Sequence, residues 1–216
     1  MLTSGRRAGR GFSLIELMIV IAIIGLSTAL AAPAIRTWSA NAQIRTAGSG
    51  LATSLRLAQA EAVKSYQPVV FYRTSQSTCT GNEAASAGGQ YWIVKVIPNI
   101  AITEAGGAVS QPAQCGSMTD LTANLTINGP LAVCFGPSGR PVALNNPVSG
   151  ASTCNVPATG QIVYWIDTSV SASNLKRLSV WVALGGSVRL CDRDRVQSST
   201  LPDGCPAAGV SYTNSN

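Results

Sequence analysis

The chain contains no histidine. An imidazole-activated nucleophile, Ser–His or Cys–His, therefore cannot be assembled from it. The same absence, together with the lack of any C-x-x-C pair among its six cysteines, leaves little from which to build a zinc site. Acids are scarce, nine in 216 residues, and charged residues make up only 11% of the chain. The carboxylates are scattered, and there is no glycine-rich phosphate loop. These absences argue against an enzyme and predict neither cofactor nor metal.

What is present begins with a long apolar run. From Leu17 to Ala32 the chain reads LMIVIAIIGLSTALAA without a charge. Counted from Phe12 to Ile35 the run has 24 residues, enough to cross a hydrocarbon core of ~30 Å as a helix. Arg6, Arg7 and Arg10 precede it, and no acid comes before Glu16. Basic residues on that flank predict that the first eleven residues stay cytoplasmic and the rest is exported. A cleaved secretory signal is the competing reading, with Ala29–Ala32 as its small-residue site. Glu16 argues against it, because a discarded signal has no use for an acid in its apolar core. An unpaired carboxylate in hydrocarbon costs several kcal/mol or protonates, so Glu16 reads as a functional group in need of a partner. The plainer alternative is a solvated acid near the headgroups, favoured by the helix dipole.

Gly11-Phe12-Ser13-Leu14-Ile15-Glu16-Leu17 closely resembles the leader junction of type IV pilins and of the pseudopilins of type II secretion. The resemblance implies that a prepilin peptidase cuts between Gly11 and Phe12, that Phe12 is then N-methylated, and that the apolar run is retained. Glu16 becomes the fifth mature residue. It lies one turn from the new α-amino group at Phe12 and, in a filament, within reach of a neighbour's. Pairing would relieve the carboxylate only at the correct stagger, which makes Glu16 a register device for assembly. Loss of the leader lowers the net charge from +6 to +3, twelve bases against nine acids.

Beyond the run, Ile44, Ala47, Leu51, Leu55, Ala58 and Ala62 recur at spacings of three and four, one face of a helix, and Pro68 marks its stop. The expected organisation is a leader (1–11), a membrane or filament-core helix (12–35), the amphipathic half of the same helix (36–66), and a β-rich head (67–216). If continuous from Phe12 to Ser65 the helix is ~80 Å long, with Gly25 and Pro33 as points of weakness. Short segments rich in Val, Ile, Tyr and Trp predict strands at Pro68–Arg73, Tyr91–Ile97, Leu121–Ile127, Leu131–Phe135, Pro141–Leu144, Gln161–Ile166, Leu178–Ala183 and Ser187–Cys191. Ser75–Gln90 and Glu104–Asp120 are predicted loops. The tail after Pro202 is expected to be loose unless Cys205 ties it down. The fold class is thus α+β, a long N-terminal helix packed on an antiparallel β-sheet head. Cys79, Cys115, Cys134, Cys154, Cys191 and Cys205 all follow the membrane segment, and an even number in an exported domain predicts disulfides. Fifteen connectivities exist. Nearest-neighbour pairing is favoured because each pair would close a turn-rich loop.

The head narrows the resemblance. Leu57-Ala58-Gln59-Ala60-Glu61-Ala62-Val63-Lys64 with Pro68-Val69 looks like the helix end of the GspH/FimT branch. Phe135-Gly136-Pro137-Ser138-Gly139-Arg140-Pro141 is similar to its middle turn, and Gly186-Ser187-Val188-Arg189-Leu190-Cys191 to its C-terminal hairpin. The resemblance implies a minor pilin of a type IV pilus that primes assembly or adapts the tip. Alternatives are an H-type pseudopilin of type II secretion and a minor pilin that captures DNA for uptake. Implied partners are other pilins through the N-terminal helix, prepilin peptidase, the inner-membrane assembly platform, the membrane before assembly and, in the third reading, DNA. The implied location is the bacterial inner membrane, single-pass with a periplasmic head, and then a pilus or pseudopilus. The size of the head and its staples suit a low-copy initiating or adapter subunit. DNA-capturing members carry Gly-Arg-x-Arg in the hairpin; here Ser187 replaces the first arginine. Lys176, Arg177, Arg189, Arg193 and Arg195 are the candidate DNA contacts, offset by Asp192 and Asp194. Interleaved acids weaken the field that phosphate binding needs.

Overall fold

A computed structural model describes residues 12–98, 112–118, 124–157, 161–171 and 174–206. A single helix, α1 (Leu14–Ser65), accounts for 52 of them and runs unbroken through Gly25 and Pro33, a length of ~78 Å. Ser13 is its extended N-cap; Lys64 lies in the last turn, and Tyr66 closes the helix in the left-handed region at φ 54°. Pro68 follows two residues later, where a helix cannot readily continue.

Eleven strands follow among the described residues. β1 (Val69–Thr74), β2 (Tyr91–Val96), β3 (Pro112–Ser117) and β5 (Ala132–Phe135) form a sheet in the order β3-β2-β1-β5. β4 (Leu125–Asn128), β8 (Gln161–Thr168), β9 (Leu178–Ala183), β10 (Val188–Val196) and β11 (Gly204–Cys205) form a second, β11-β10-β9-β8-β4. β6 (Leu144–Val148) and β7 (Ala151–Cys154) make a separate hairpin. Pairing is antiparallel apart from the short β10–β11 contact, which is parallel.

The C-terminal half of α1 packs against both large sheets. Ile44, Ala47, Leu51, Leu55, Ala58 and Ala62, the stripe read from periodicity, are all buried in one core with Val69, Phe71, Ile166, Val180 and Val182. Small residues let the sheet come close: a Cβ on Gly48 would lie 2.6 Å from Leu190 Cδ1. β1 is buried along its whole length because it serves two cores. Val69 and Phe71 join the helix-side core, whereas Val70 and Tyr72 join a second one with Ile93, Ala132, Cys134, Ala151 and Cys154. The β6–β7 hairpin roofs that second core.

Disulfides pair Cys79 with Cys115, Cys134 with Cys154 and Cys191 with Cys205, the nearest-neighbour pattern. At sequence separations of 36, 20 and 14, each is worth roughly 3 kcal/mol of restricted unfolded-state freedom. The last ties β10 to β11, so the chain as far as Pro206 is held rather than loose.

Three details depart from expectation. β3 lies inside the predicted loop at 104–120, of which 104–111 and 119–120 are outside the described residues. Its sequence, PAQCGS, lacks β-branched residues; it exists through backbone pairing with β2, the Cys79–Cys115 bond and the packing of Gly116 beneath Trp92. The strand expected at Pro141–Leu144 is an isolated bridge between Phe135 and Pro141, and Leu144 instead opens the β6–β7 hairpin. That hairpin hides in the turn-like run NNPVSG, where Asn146 (φ 49°) and Gly150 (φ 79°) bend the chain. Of the strand expected at Leu121–Ile127, residues 121–123 lie outside the described residues, and β4 starts at Leu125.

The Ser75–Gln90 loop is held by a buried acid. Glu83 accepts hydrogen bonds from the Thr80 N–H (2.7 Å), the Thr80 hydroxyl (2.9 Å) and the Gly81 N–H (2.8 Å). Burial alone would raise its pKa, but hydrogen bonds from the Thr80 N–H and hydroxyl, the Thr78 hydroxyl and its own N–H outweigh it and hold the carboxyl at about 2 against an ordinary 4.5. A depressed folded-state pKa contributes stability that is complete above the ordinary value and is lost as pH falls toward the folded one. Relative to Glu83→Gln, the wild-type chain should therefore lose stability between pH 4.5 and 2, on the order of 3 kcal/mol in total. Denaturant midpoints across that range measure it; parallel curves for the two proteins would disprove it.

Candidate functional site

The first candidate is the start of α1. Glu16 sits in its first turn and is exposed, four residues from Phe12, which is 85% exposed. Phe12 precedes the extended N-cap Ser13, so Glu16 lies one turn into the helix from the chain end that cleavage would create. Gly11, the other half of the expected junction, is outside the described residues. From Leu14 to Ile35 the large apolar side chains are exposed, and none of the most apolar 18-residue window is buried. Two threonines, one in this stretch and one just past it, bond back to the helix: the Thr28 hydroxyl donates to Ile24 O (2.7 Å) and that of Thr37 to Pro33 O (3.2 Å). A helix that is apolar all round and internally hydrogen-bonded suits a membrane or a bundle of its own kind. The helix is long and apolar enough to cross a membrane.

The second candidate is the β9–β10 hairpin with its five bases. Arg189, opposite Trp181 in the register, is exposed, and its guanidinium lies 5.9 Å from that ring. Arg193 donates to Asp167 on β8 (2.9 Å) and lies 5.5 Å from the Trp165 ring. Arg177 donates through Nε to Asp194 (2.8 Å), a bond that holds the Asp194 carboxyl below its usual range. Arg195 is 3.1 Å from Asp203 and 4.0 Å from Asp192. Lys176 is exposed and makes no ion pair among the described residues. Asp167 and Asp203 are not the acids read beside these bases in the sequence, Asp192 and Asp194, and reach the bases through the fold. With them, five bases face four acids, a local excess of +1. No sequence signal announced this, because the pairings come from strand register and the β10–β11 turn.

A third element was missed altogether. The Gln59 amide on α1 donates to Gly139 O (2.6 Å) and to Gly186 O (2.8 Å). One side chain thereby ties the helix to the middle turn and to the hairpin turn. Arg56 Nη2 adds a bond to Val188 O (2.8 Å). Gly139 (φ 72°) and Gly186 (φ 90°) adopt left-handed backbone, and a Cβ at Gly186 would strike the Gln59 amide and Gly139 O. The signal was available, since Gln59, Gly139 and Gly186 all stand in the three motifs quoted for the head. Partly buried bonds of this kind are worth about 1 kcal/mol each.

Residues 6–32 match the family described as the prokaryotic N-terminal methylation motif. Residues 47–164, more than half of the chain, match the family described as type II transport protein GspH. The chain belongs to the GspH family. It is a type IV pilin-like protein of the GspH/FimT branch, in a family of structural pilins and pseudopilins. A fimbrial protein of Moraxella nonliquefaciens is 53% identical over 51 residues, which are 22% of this chain and 33% of that protein. The chain thus matches about a third of the length of that relative. Type IV minor pilin FimU of Pseudomonas aeruginosa PAO1 is similar in two crystal forms at 15% identity. One match covers 75% of this chain and 94% of FimU with a TM-score of 0.43; the other covers 74% and 98% with 0.41.

Within this GspH-family head, Gln59→Ala should lower the unfolding free energy by about 2 kcal/mol, read from denaturant midpoints. An unchanged midpoint would show that the two turns are held by other contacts.

Proposed function

We propose that this chain is a minor pilin of a type IV pilus, cleaved between Gly11 and Phe12, N-methylated on Phe12, and assembled at or near the tip to prime or adapt the filament. The observation that carries the reading is the division of α1. Its first half exposes apolar side chains on every face, while the second half is part of the core of the head. The first half needs either lipid or neighbouring helices, and a processed pilin uses both in turn. Its partners are other pilins, prepilin peptidase and the assembly platform. Residues 12–35 span the inner membrane before assembly, 36–66 form the amphipathic half, and 67–216 form a periplasmic head. The size of the head, its three staples and the β6–β7 hairpin favour a low-copy specialised subunit.

A second reading, an H-type pseudopilin of type II secretion, is supported by the description of the matched family. DNA capture has less support, because Arg177, Arg193 and Arg195 are engaged by carboxylates. Arg189 and Lys176 remain for a phosphate backbone.

N-terminal mass analysis of the mature protein should find a start at methylated Phe12; a start near Ala32 would reject the pilin reading. Glu16→Ala should leave processing and head folding intact but abolish most incorporation into filaments, scored by immunoblot of sheared pili. Normal incorporation would remove Glu16 as the register group. Any DNA mobility shift should weaken with Arg189→Ala and with salt, and no shift at low salt would end the DNA reading.

A further inference from the structure

The end of the head nearest the apolar run is built differently from the rest. Ala40 is the first buried residue of α1, and Asn41 follows it. The Asn41 amide donates to Asn174 O (3.3 Å), and its oxygen accepts from the Lys176 N–H (2.8 Å). The segment leading into β9 is thereby pinned to the helix six residues beyond Ile35, about 9 Å along the axis. Arg36, Arg45 and Lys176 are exposed at this pole, and none has a carboxylate partner among the described residues. The nearby acids are occupied, Asp194 by Arg177 and Asp167 by Arg193. Between Glu16 and Glu61 the chain has no acid at all. Trp38, 74% exposed, stands at the same level.

Cations on the translocated flank of a membrane helix oppose its orientation. Their retention without acids to neutralise them calls for a compensating negative partner. The partner within reach of a group just past an apolar run is the phosphate layer of the bilayer, where tryptophan also settles. We propose that Arg36, Trp38 and Lys176 bind anionic phospholipid headgroups of the periplasmic leaflet and seat the head on the membrane until the subunit enters a filament. The proposal rests on the reading of α1 as a membrane segment. Asn41 is the positioning residue: it fixes the Lys176 backbone beside the helix and so sets the height of that charge above the hydrocarbon.

The test is hydrogen exchange on the full chain, one copy per nanodisc, in phosphatidylcholine alone or mixed with phosphatidylglycerol. Amides of 14–35 report insertion, and those of β1 report head folding. With 14–35 protected in both discs, 174–177 should exchange roughly fivefold more slowly per engaged cation when the anionic lipid is present. The difference should vanish in Arg36→Gln/Lys176→Gln and in high salt; both residues are exposed, so the head should remain folded. Equal exchange of 174–177 in the two discs, with 14–35 protected, overturns the proposal and leaves the anchor intact. Fast exchange of 14–35 in both discs overturns the membrane reading and the proposal with it. A lipid effect that survives the double variant assigns the pole to another contact and overturns it as well.

Discussion

One helix must satisfy two solvents, and the rest of the molecule follows from that. From Leu14 to Ile35 the large apolar side chains of α1 are exposed, and none of its most apolar 18-residue stretch is buried among the described residues. Over its second half the apolar residues contract to a stripe that the two sheets cover. Water suits neither arrangement alone. The first half has to be covered by something other than this chain, and the second half is stable only because the strands fold onto it. The charge pattern respects the same division: carboxylates are absent along the rod between Glu16 and Glu61 and gather on the strands and loops of the head.

The head meets its side of the bargain by close approach and local ties. Ala47, Gly48, Ala52, Ala58 and Ala62 keep the contact face of α1 thin, so sheet side chains such as Leu190 and Ile166 reach its backbone. Thin contacts bury less apolar area per residue than Leu-rich ones. Specific bonds offset part of that deficit. Gln59 and Arg56 reach across to three backbone carbonyls. Cys134–Cys154 clamps the hairpin over the second core, and Glu83 organises a loop that has no regular structure of its own.

The outer face of the second sheet is charged but not strongly basic. Arg177, Arg193 and Arg195 each meet an aspartate, and Arg189 and Arg193 lie near tryptophan rings. Such exposed pairs add little stability individually. Their larger consequence is to cancel the field that five bases would otherwise project. Among the described residues Arg36, Arg45 and Lys176, toward the apolar end of the helix, have no acid partner, and neither do Arg189 on the hairpin and Arg140 on the middle turn.

Much was legible in the order of residues alone. The apolar run with Glu16, the stripe from Ile44 to Ala62, the stop near Pro68 and the strands at Tyr91, Gln161 and Leu178 all rest on interactions between neighbours in sequence, where periodicity and composition speak directly. β3 and the β6–β7 hairpin were not legible, because Pro112–Ser117 and Leu144–Cys154 have turn-like composition and become strands only through pairing and disulfides. The Gln59 latch, the Asp167 partner and the pinning of Lys176 by Asn41 join residues 26 to 135 positions apart, and Asp203 meets Arg195 across the turn between β10 and β11. The order of residues specifies a rod carrying a β head, with a charge at the rod's start that calls for a partner. Which charges of the head are paired internally and which remain follows from the folded arrangement, since strand register and side-chain reach are long-range geometry that local order does not encode.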